Sequence, residues 1–320
     1  MLAFSKENIA YFAQKGSRAV VGAASSLLAD SVPDFTLMYA DVGSRAAVET
    51  VRKKHPEKCI QCGIAEQNML GMAAALANEG FNVFAVSYGA FISARVLDQI
   101  RVNMGIMESP VALIGLSSGL FMYDLGPASA ALEDIAHLRS IPNITVISPA
   151  DCLETVKAMI ALSDYNKPAY LRITCGFENQ SVYKDDYDFE IGKAITLKEG
   201  ADTAIICTGT IAYQCLEAAK ILEEKGISCA VINMHTIKPL DTTVIDKLNH
   251  KTVFTVEEHS IIGGLGGAVA EYLAEKERAP RLKRIGTPDK FVNADSFAAT
   301  LERLGLSASG IAEQVMEGIL

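Results

Sequence analysis

Glu66 is the only carboxylate between Glu57 and Glu79, and it lies in the stretch Gly63-Ile64-Ala65-Glu66-Gln67-Asn68. Met69, Leu70, Met72, Ala73, Ala74 and Leu76 follow it, a pattern that predicts a helix to about Asn78 with buried later turns. An acid in a first turn has a simple role, since exposed N–H groups and the helix dipole stabilise it by about 0.3–1 kcal/mol. A carboxylate this close to apolar packing is also costly unless something specific binds it, so a ligand contact is the second reading. Two other stretches carry chemistry-bearing side chains. Cys59-Ile60-Gln61-Cys62 has the spacing of a redox pair or half a zinc site, but no second such pair or paired-histidine cluster accompanies it. In an extended segment its two thiols point to opposite faces. Glu257-Glu258-His259 follows a predicted strand, where either a site or a hydrogen-bonded domain contact is expected.

The elements that must position these residues alternate. Strands are predicted at 35–40, in a short segment before Glu66, and at 81–87, 111–116, 144–147 and 169–174; helices are predicted at 18–28, 90–104, 132–140 and 151–162. Residues 1–16 form an entry helix or arm. This order implies a mostly parallel sheet with helices on both faces. Residues 174–189 break the pattern with Gly176, Asn179 and Asp185-Asp186-Tyr187-Asp188. A second, smaller α/β unit follows, with strands near 204–207, 229–232, 252–256 and 282–285, helices at 211–224 and 265–276, and two more near the C-terminus. The division is therefore 1–178, a linker at 179–190, and 191–320. Open α/β sheets bind ligands at the carboxyl ends of their strands. Residues 41–44, the segment before Glu66, residues 88–91 and the loop 116–130 all fall on that edge.

Across 320 residues, half apolar, the formal net charge is −9, which argues against a general nucleic-acid or anionic-membrane surface. No apolar run reaches spanning length, the N-terminus lacks the features of a signal peptide, and the seven cysteines are an odd number, so a cytoplasmic protein with reduced thiols is expected.

Ala40-Asp41-Val42-Gly43-Ser44, the Glu66 stretch, the run Leu132 to Asn143 leading into Ser148-Pro149-Ala150-Asp151, and Ile261-Ile262-Gly263-Gly264-Leu265-Gly266 occur in that order. With them the chain resembles the C-terminal two-thirds of transketolase-type thiamine diphosphate enzymes, and above all the C-terminal subunit of split transketolases. The resemblance implies a pyrimidine-binding domain followed by a transketolase C-terminal domain. It implies that Glu66 contacts N1′ of the cofactor's aminopyrimidine and favours its imino tautomer. Phe84, Tyr88 and Phe91 are candidates for an aromatic wall, and Asp41 and Val42 resemble residues beside the thiazolium ring. Arg18 and Arg172 match arginines that bind a sugar phosphate, with Ser44 adding a hydroxyl.

Two departures shape the expected function. Ser117 and Ser129 stand where the family carries histidines, and Leu125, with Asp124 adjacent, stands near a usual aspartate; Ser117, Asp124 and Ser129 are the candidate substrate contacts of this loop. The sequence also has no Gly-Asp-Gly, the start of the family's diphosphate and Mg²⁺ motif. This chain is therefore expected to hold half of the thiamine diphosphate, without a metal ligand of its own. An N-terminal-type partner subunit would carry the Gly-Asp-Gly…Asn motif and the divalent ion, in an α2β2 heterotetramer. The expected reaction is two-carbon ketol transfer between sugar phosphates. Alternatives are a 2-oxoacid dehydrogenase E1 beta or deoxyxylulose-phosphate-synthase-like subunit, or a non-catalytic structural or regulatory paralogue.

Overall fold

The computed structural model describes residues 4–175, 180–291 and 295–319; the side chains of Tyr123 and Asp124, and thus the Asp124 candidate, lie outside it, as do Gly176 and Asn179. Helix α1 (Lys6–Ser31) opens on Ser5, whose hydroxyl accepts from the Asn8 N–H, and is interrupted at Gly16, where φ is +73°. The expected entry arm and first helix are thus one kinked element, and Arg18 begins its second half. The first sheet takes β1 (Phe35–Tyr39), β2 (Cys59–Gln61), β3 (Asn82–Tyr88), β4 (Ala112–Ser118), β5 (Thr145–Ile147) and β6 (Ala169–Thr174). Helices α2 (Glu49–Lys54) and α3 (Glu66–Asn78) flank β2, and α4 (Leu97–Gln99) sits between two wide π-helical stretches, Phe91–Arg95 and Ile100–Ile106. Helices α5 (Asp134–Arg139) and α6 (Cys152–Ser163) follow.

The central strands are buried on both faces, as expected for a parallel sheet. Val83 and Ala85 of β3 face one core with Met69, Leu70 and Ile92. Phe84 and Val86 face the other, with Val20, Val21 and Leu28 of α1 and Val156 and Met159 of α6. Each large apolar side chain so buried contributes about 1.5–3 kcal/mol. The cysteine pair follows the same alternation: Cys59 packs on the second core and Cys62 on the first, so the thiols diverge.

The second sheet has the order β12-β11-β8-β9-β7, from β7 (Ile195–Lys198), β8 (Thr203–Thr208), β9 (Cys229–Asn233), β11 (Thr252–Ser260) and β12 (Arg281–Thr287). Helices α7 (Ala212–Glu224), α8 (Thr242–Asp246), α9 (Leu265–Ala274), α10 (Phe297–Arg303) and α11 (Ala308–Ile319) accompany it. The remaining strand, β10 (Thr236–Lys238), leaves this sheet. It pairs antiparallel with β5 and gives the first sheet the order β10-β5-β6-β4-β3-β1-β2. Strands β7 and β10 are too short and mixed in polarity to stand out in the sequence. Among the described residues no helix is long and apolar enough to cross a membrane.

The linker is sewn down. Asp151, the N-cap of α6, accepts from Glu154 N–H at 2.9 Å and also from the Val182 and Tyr183 N–H groups at 2.9 Å each. Tyr183 and Tyr187 stack at 4.0 Å, and both hydroxyls donate to Glu154, at 3.0 and 2.9 Å. Asn233 of β9 donates to the same carboxylate at 2.8 Å. Further along, Phe189 stacks on His235 at 4.4 Å, just before β10.

Burial pushes the His235 pKa down to about 4, against a backbone hydrogen bond at Lys193 and the charge of Asp241. A depressed histidine pKa means that the unfolded chain takes up the proton first. The contribution is complete above pH ~6.5 and is lost as pH falls from ~6.5 to ~4. His235→Phe is expected to remove this dependence, so the wild type loses up to ~3 kcal/mol relative to the variant over that window. Urea titrations at several pH values measure the difference; parallel stability curves would refute it.

Candidate active site

The carboxyl ends of β1 to β4 bring the candidate residues to one edge. Asp41 follows β1 in the left-handed region, with φ +54°. Gln61, the last residue of β2, accepts from Asp41 N–H at 3.2 Å and Gly63 N–H at 3.1 Å, so it ties the two strand-end turns together just ahead of Glu66. Val42 is buried and closes a turn through its carbonyl to Ala46 N–H at 2.9 Å, while Ser44 is exposed.

Glu66 is only 3% exposed, although it stands at the start of its helix. The residue before it, Ala65, offers no side-chain cap. The carboxylate turns toward the end of β3, where Ser87 Oγ lies 3.4 Å from Oε1 and Arg95 Nη1 donates to Oε2 at 3.1 Å. Arg95 is 48% exposed, and its guanidinium lies over the Phe91 ring at 4.6 Å. Tyr88 and Phe91 meet edge to face at 6.2 Å. Glu66, Ser87, Tyr88, Phe91 and Arg95 therefore form one cluster of a buried carboxylate, a hydroxyl, two rings and a solvent-facing cation. Among the described residues the carboxylate's ion-pair partner is half exposed, so movement of Arg95 into solvent would free Oε2 for a ligand donor.

Phe84 is not part of this cluster. It is buried against Phe35, with ring centroids at 5.4 Å, on the face of β3 opposite Ser87. The alternation that aims Ser87 at Glu66 aims Phe84 into the core, so its place in the aromatic wall is corrected.

Arg172 is also corrected. It is 0% exposed, its Nε donates to Asp134 at 2.9 Å, and Nη2 donates to the carbonyls of Ala131 and Glu258 at 3.1 and 2.9 Å. Tyr170 donates to the same Asp134 at 2.7 Å. Burial alone would raise the Asp134 pKa, but the adjacent guanidinium overrides it and holds the carboxyl below its usual range. This arginine joins the two domains, and a sugar phosphate cannot reach it without replacing a buried carboxylate.

Arg18 differs. It is half-buried, lies over the Phe121 ring at 5.0 Å and makes no ion pair among the described residues. Burial pushes the nearby Cys175 thiol up to about 12 against the Arg18 charge, and Cys175 Sγ is 4.0 Å from Ser117 Oγ. Ser117 is buried in the left-handed region with φ +53°, and Ser129 is half-buried in a single turn, Pro127–Ser129. A cavity of about 620 Å³ lined by Phe4, Lys157, Tyr187 and Phe189 includes neither Glu66 nor this loop. Among the described residues no group of three or more metal-ligating side chains is assembled.

The transketolase pyrimidine-binding domain model matches residues 14–176, and the transketolase C-terminal domain model matches residues 192–311. The chain belongs to the transketolase family. It is 37% identical over 305 residues to a putative transketolase C-terminal section of Methanocaldococcus jannaschii, covering 95% of this chain and 96% of that one. It is 35% identical to an apulose-4-phosphate transketolase subunit of Phocaeicola vulgatus, with 91% and 93% covered. Among solved structures, a split-gene transketolase determined as an inactive beta4 tetramer matches with a TM-score of 0.84 and 32% identity, covering 95% of this chain and 98% of that one. Against the 1-deoxy-D-xylulose-5-phosphate synthase of Chlorobium phaeovibrioides, at 34% identity, the chain spans 47% of the relative's length. The transketolase family uses thiamine diphosphate, and its two α/β domains are those described above.

Gln61, Ser87 and Arg95 were not read from the sequence. Arg95 had a signal, since Phe91 and Arg95 are spaced i, i+4 where a helix was expected; Gln61 and Ser87 had none, because their roles depend on strand register.

Arg172→Met strands the buried Asp134 charge and is expected to cost about 3–5 kcal/mol of stability. The urea midpoint measures it, and a loss below ~1 kcal/mol, typical of an exposed pair, would show that the pair is not held as described.

Proposed function

We propose that this chain is the C-terminal subunit of a split, thiamine-diphosphate-dependent transketolase that moves a two-carbon ketol unit between sugar phosphates. The carrying observation is the Glu66 cluster: a buried carboxylate, paired with a half-exposed arginine, beside Tyr88 and Phe91 at the ligand edge of a parallel sheet. Its donor set suits an aminopyrimidine. Glu66 would hold the ring nitrogen and exchange a proton with it, Ser87 would keep the carboxylate aimed, and Arg95 would give up its place at Oε2. Tyr88 and Phe91 would supply the flat apolar seat, and low polarity would strengthen the Glu66 contact. When bound, thiamine diphosphate supplies the carbon nucleophile. Asp41 and Val42 would stand beside its thiazolium end. Arg18, half-buried and without an ion pair among the described residues, would take the substrate phosphate, with Ser44, Ser117 and Ser129 as hydroxyl contacts.

The absence of Gly-Asp-Gly in the sequence supports a partner subunit that holds the diphosphate and a divalent ion, in an α2β2 assembly. So does near full-length similarity to a transketolase C-terminal section and to one subunit of a second transketolase. The relative solved as an inactive beta4 tetramer supports self-association without activity when the partner is missing. The serines at 117 and 129, in place of imidazoles, point to an unusual ketose, and relatives named for apulose-4-phosphate and 6-deoxy-6-sulfo-D-fructose support that direction. Identity to deoxyxylulose-phosphate synthases keeps that reaction as the second reading.

Co-expression with a partner carrying Gly-Asp-Gly…Asn, thiamine diphosphate and Mg²⁺, followed by a donor and acceptor sugar-phosphate screen, tests the reading. Ketol transfer is expected only from the pair; formation of deoxyxylulose phosphate instead would select the second reading. Robust turnover by the isolated chain would sink the split-site proposal. Glu66→Gln is expected to keep the melting temperature and lower turnover of the pair by about 10²-fold or more, the scale of a lost proton-transfer group. Full turnover in that variant would remove Glu66 from the chemistry.

A further inference from the structure

We propose that Glu258, a residue of the second domain, is the positioning residue of loop 117–130 in the first, setting how that loop meets substrate without touching substrate itself. This rests on the loop lining the substrate site, as proposed above. The end of β11 carries three buried groups in a row, Glu257, Glu258 and His259. Glu257 is used locally: its oxygens accept from Leu265 and Gly266 N–H at 2.7 and 2.8 Å, at the start of α9. His259 is held by the Ser260 carbonyl at 2.7 Å and accepts from Ala136 N–H at 3.4 Å. Glu258 reaches into the loop. Its Oε2 accepts from the Leu120 N–H at 3.0 Å, and its Oε1 lies 3.4 Å from the Thr210 hydroxyl.

The loop is shaped for this contact. Gly119 has φ +80°, and a Cβ there would sit 2.6 Å from Glu258 Oε2, so only glycine lets the carboxylate close on the next N–H. The stem is fixed to the same strand end at both sides. Gly119 N–H donates to the Ala131 carbonyl at 2.9 Å, and Arg172 bridges the Ala131 and Glu258 carbonyls at 3.1 and 2.9 Å. Ser260 N–H donates to the Leu132 carbonyl at 2.8 Å. The residue after Leu120 is Phe121, whose ring lies between Arg18, at 5.0 Å, and Phe297 of α10, at 6.0 Å. Beyond the stem the loop holds only short turns, Phe121–Leu125 and Pro127–Ser129. Where Phe121 presents itself to Arg18 is therefore decided at the Leu120–Glu258 bond.

The chain has no tryptophan, so Leu125→Trp, at a position 65% exposed, places a single indole on the loop. In that background Glu258→Gln retains an oxygen that accepts from Leu120, whereas Glu258→Leu leaves that buried N–H unpaired. On the full chain alone, quenching of the introduced indole by acrylamide is expected to rise about two-fold in Glu258→Leu and to stay at the parent value in Glu258→Gln, because only the former loses the acceptor. With the partner subunit, Glu258→Leu is expected to raise the sugar-phosphate KM about ten-fold with kcat within about three-fold, the pattern of lost substrate positioning. If Glu258→Leu does not fold, Gly119→Ala, which forces the loop off the carboxylate from the other side, must give the same rise in quenching. Parent-like quenching in a folded Glu258→Leu chain, or a Gln variant as loose as the Leu variant, overturns the anchoring. Loosened quenching with an unchanged KM overturns its service to substrate. The quenching needs neither partner nor turnover, so a pair with an anchored loop and no ketol transfer counts against the proposed activity alone.

Discussion

A buried ion pair inside the first domain, Asp134 with Arg172, aims a guanidinium across the boundary at the end of β11 in the second. Neither side chain reaches solvent; Asp134 also accepts from Tyr170 of the same domain, and Arg172 donates to the Ala131 carbonyl beside it and, across the boundary, to the Glu258 carbonyl. A pair so placed is weak evidence of net stability, because desolvating two charges is expensive. Its effect is one of definition. Any other docking of the second domain would take the Glu258 carbonyl from this guanidinium and leave a buried donor without its acceptor, so the strand end carrying Glu257, Glu258 and His259 has one place to sit. The loop beside Arg18 and the strand edge beside Glu66 are then fixed relative to each other.

The linker adds a second constraint of the same kind. Glu154 gathers the hydroxyls of Tyr183 and Tyr187 and the amide of Asn233, and so joins α6, the connecting segment and β9 through one carboxylate. Asp151 does double duty as a helix cap and as the acceptor for two linker N–H groups. A segment that looks like a tether from its acids and glycines is therefore ordered wherever it is described.

The alternating architecture was legible in the sequence because the strands at 82–88, 112–118 and 169–174 are nearly continuous apolar runs, and such runs flanked by helices mean a parallel sheet. Glu66 was legible for a related reason, as a lone carboxylate in an apolar helix. The partners of Glu66 were not, since Ser87 and Gln61 act through strand register, which no local pattern reveals. Phe84 and Arg172 were misplaced through the same gap: both lie close in sequence to the ligand edge, yet the two-residue alternation of one strand and the carboxylate waiting on α5 turn them inward. The short strands at 195–198 and 236–238 escaped because three or four residues of mixed polarity carry no periodicity.

Strand β10 belongs to the second half of the chain but completes the first sheet beside β5. A cut at the linker would thus not yield two self-sufficient pieces. The N-terminal fragment would end its sheet at β5, a three-residue strand buried on both faces, now with unpaired N–H and C=O groups along a raw apolar edge that invites pairing with other chains. The C-terminal fragment would carry β10 as an unmatched strand. Synthesis therefore delivers the last strand of the first sheet only after about 60 residues beyond β6 have been made, so the nascent first domain must wait, with that edge open, for its sibling to arrive.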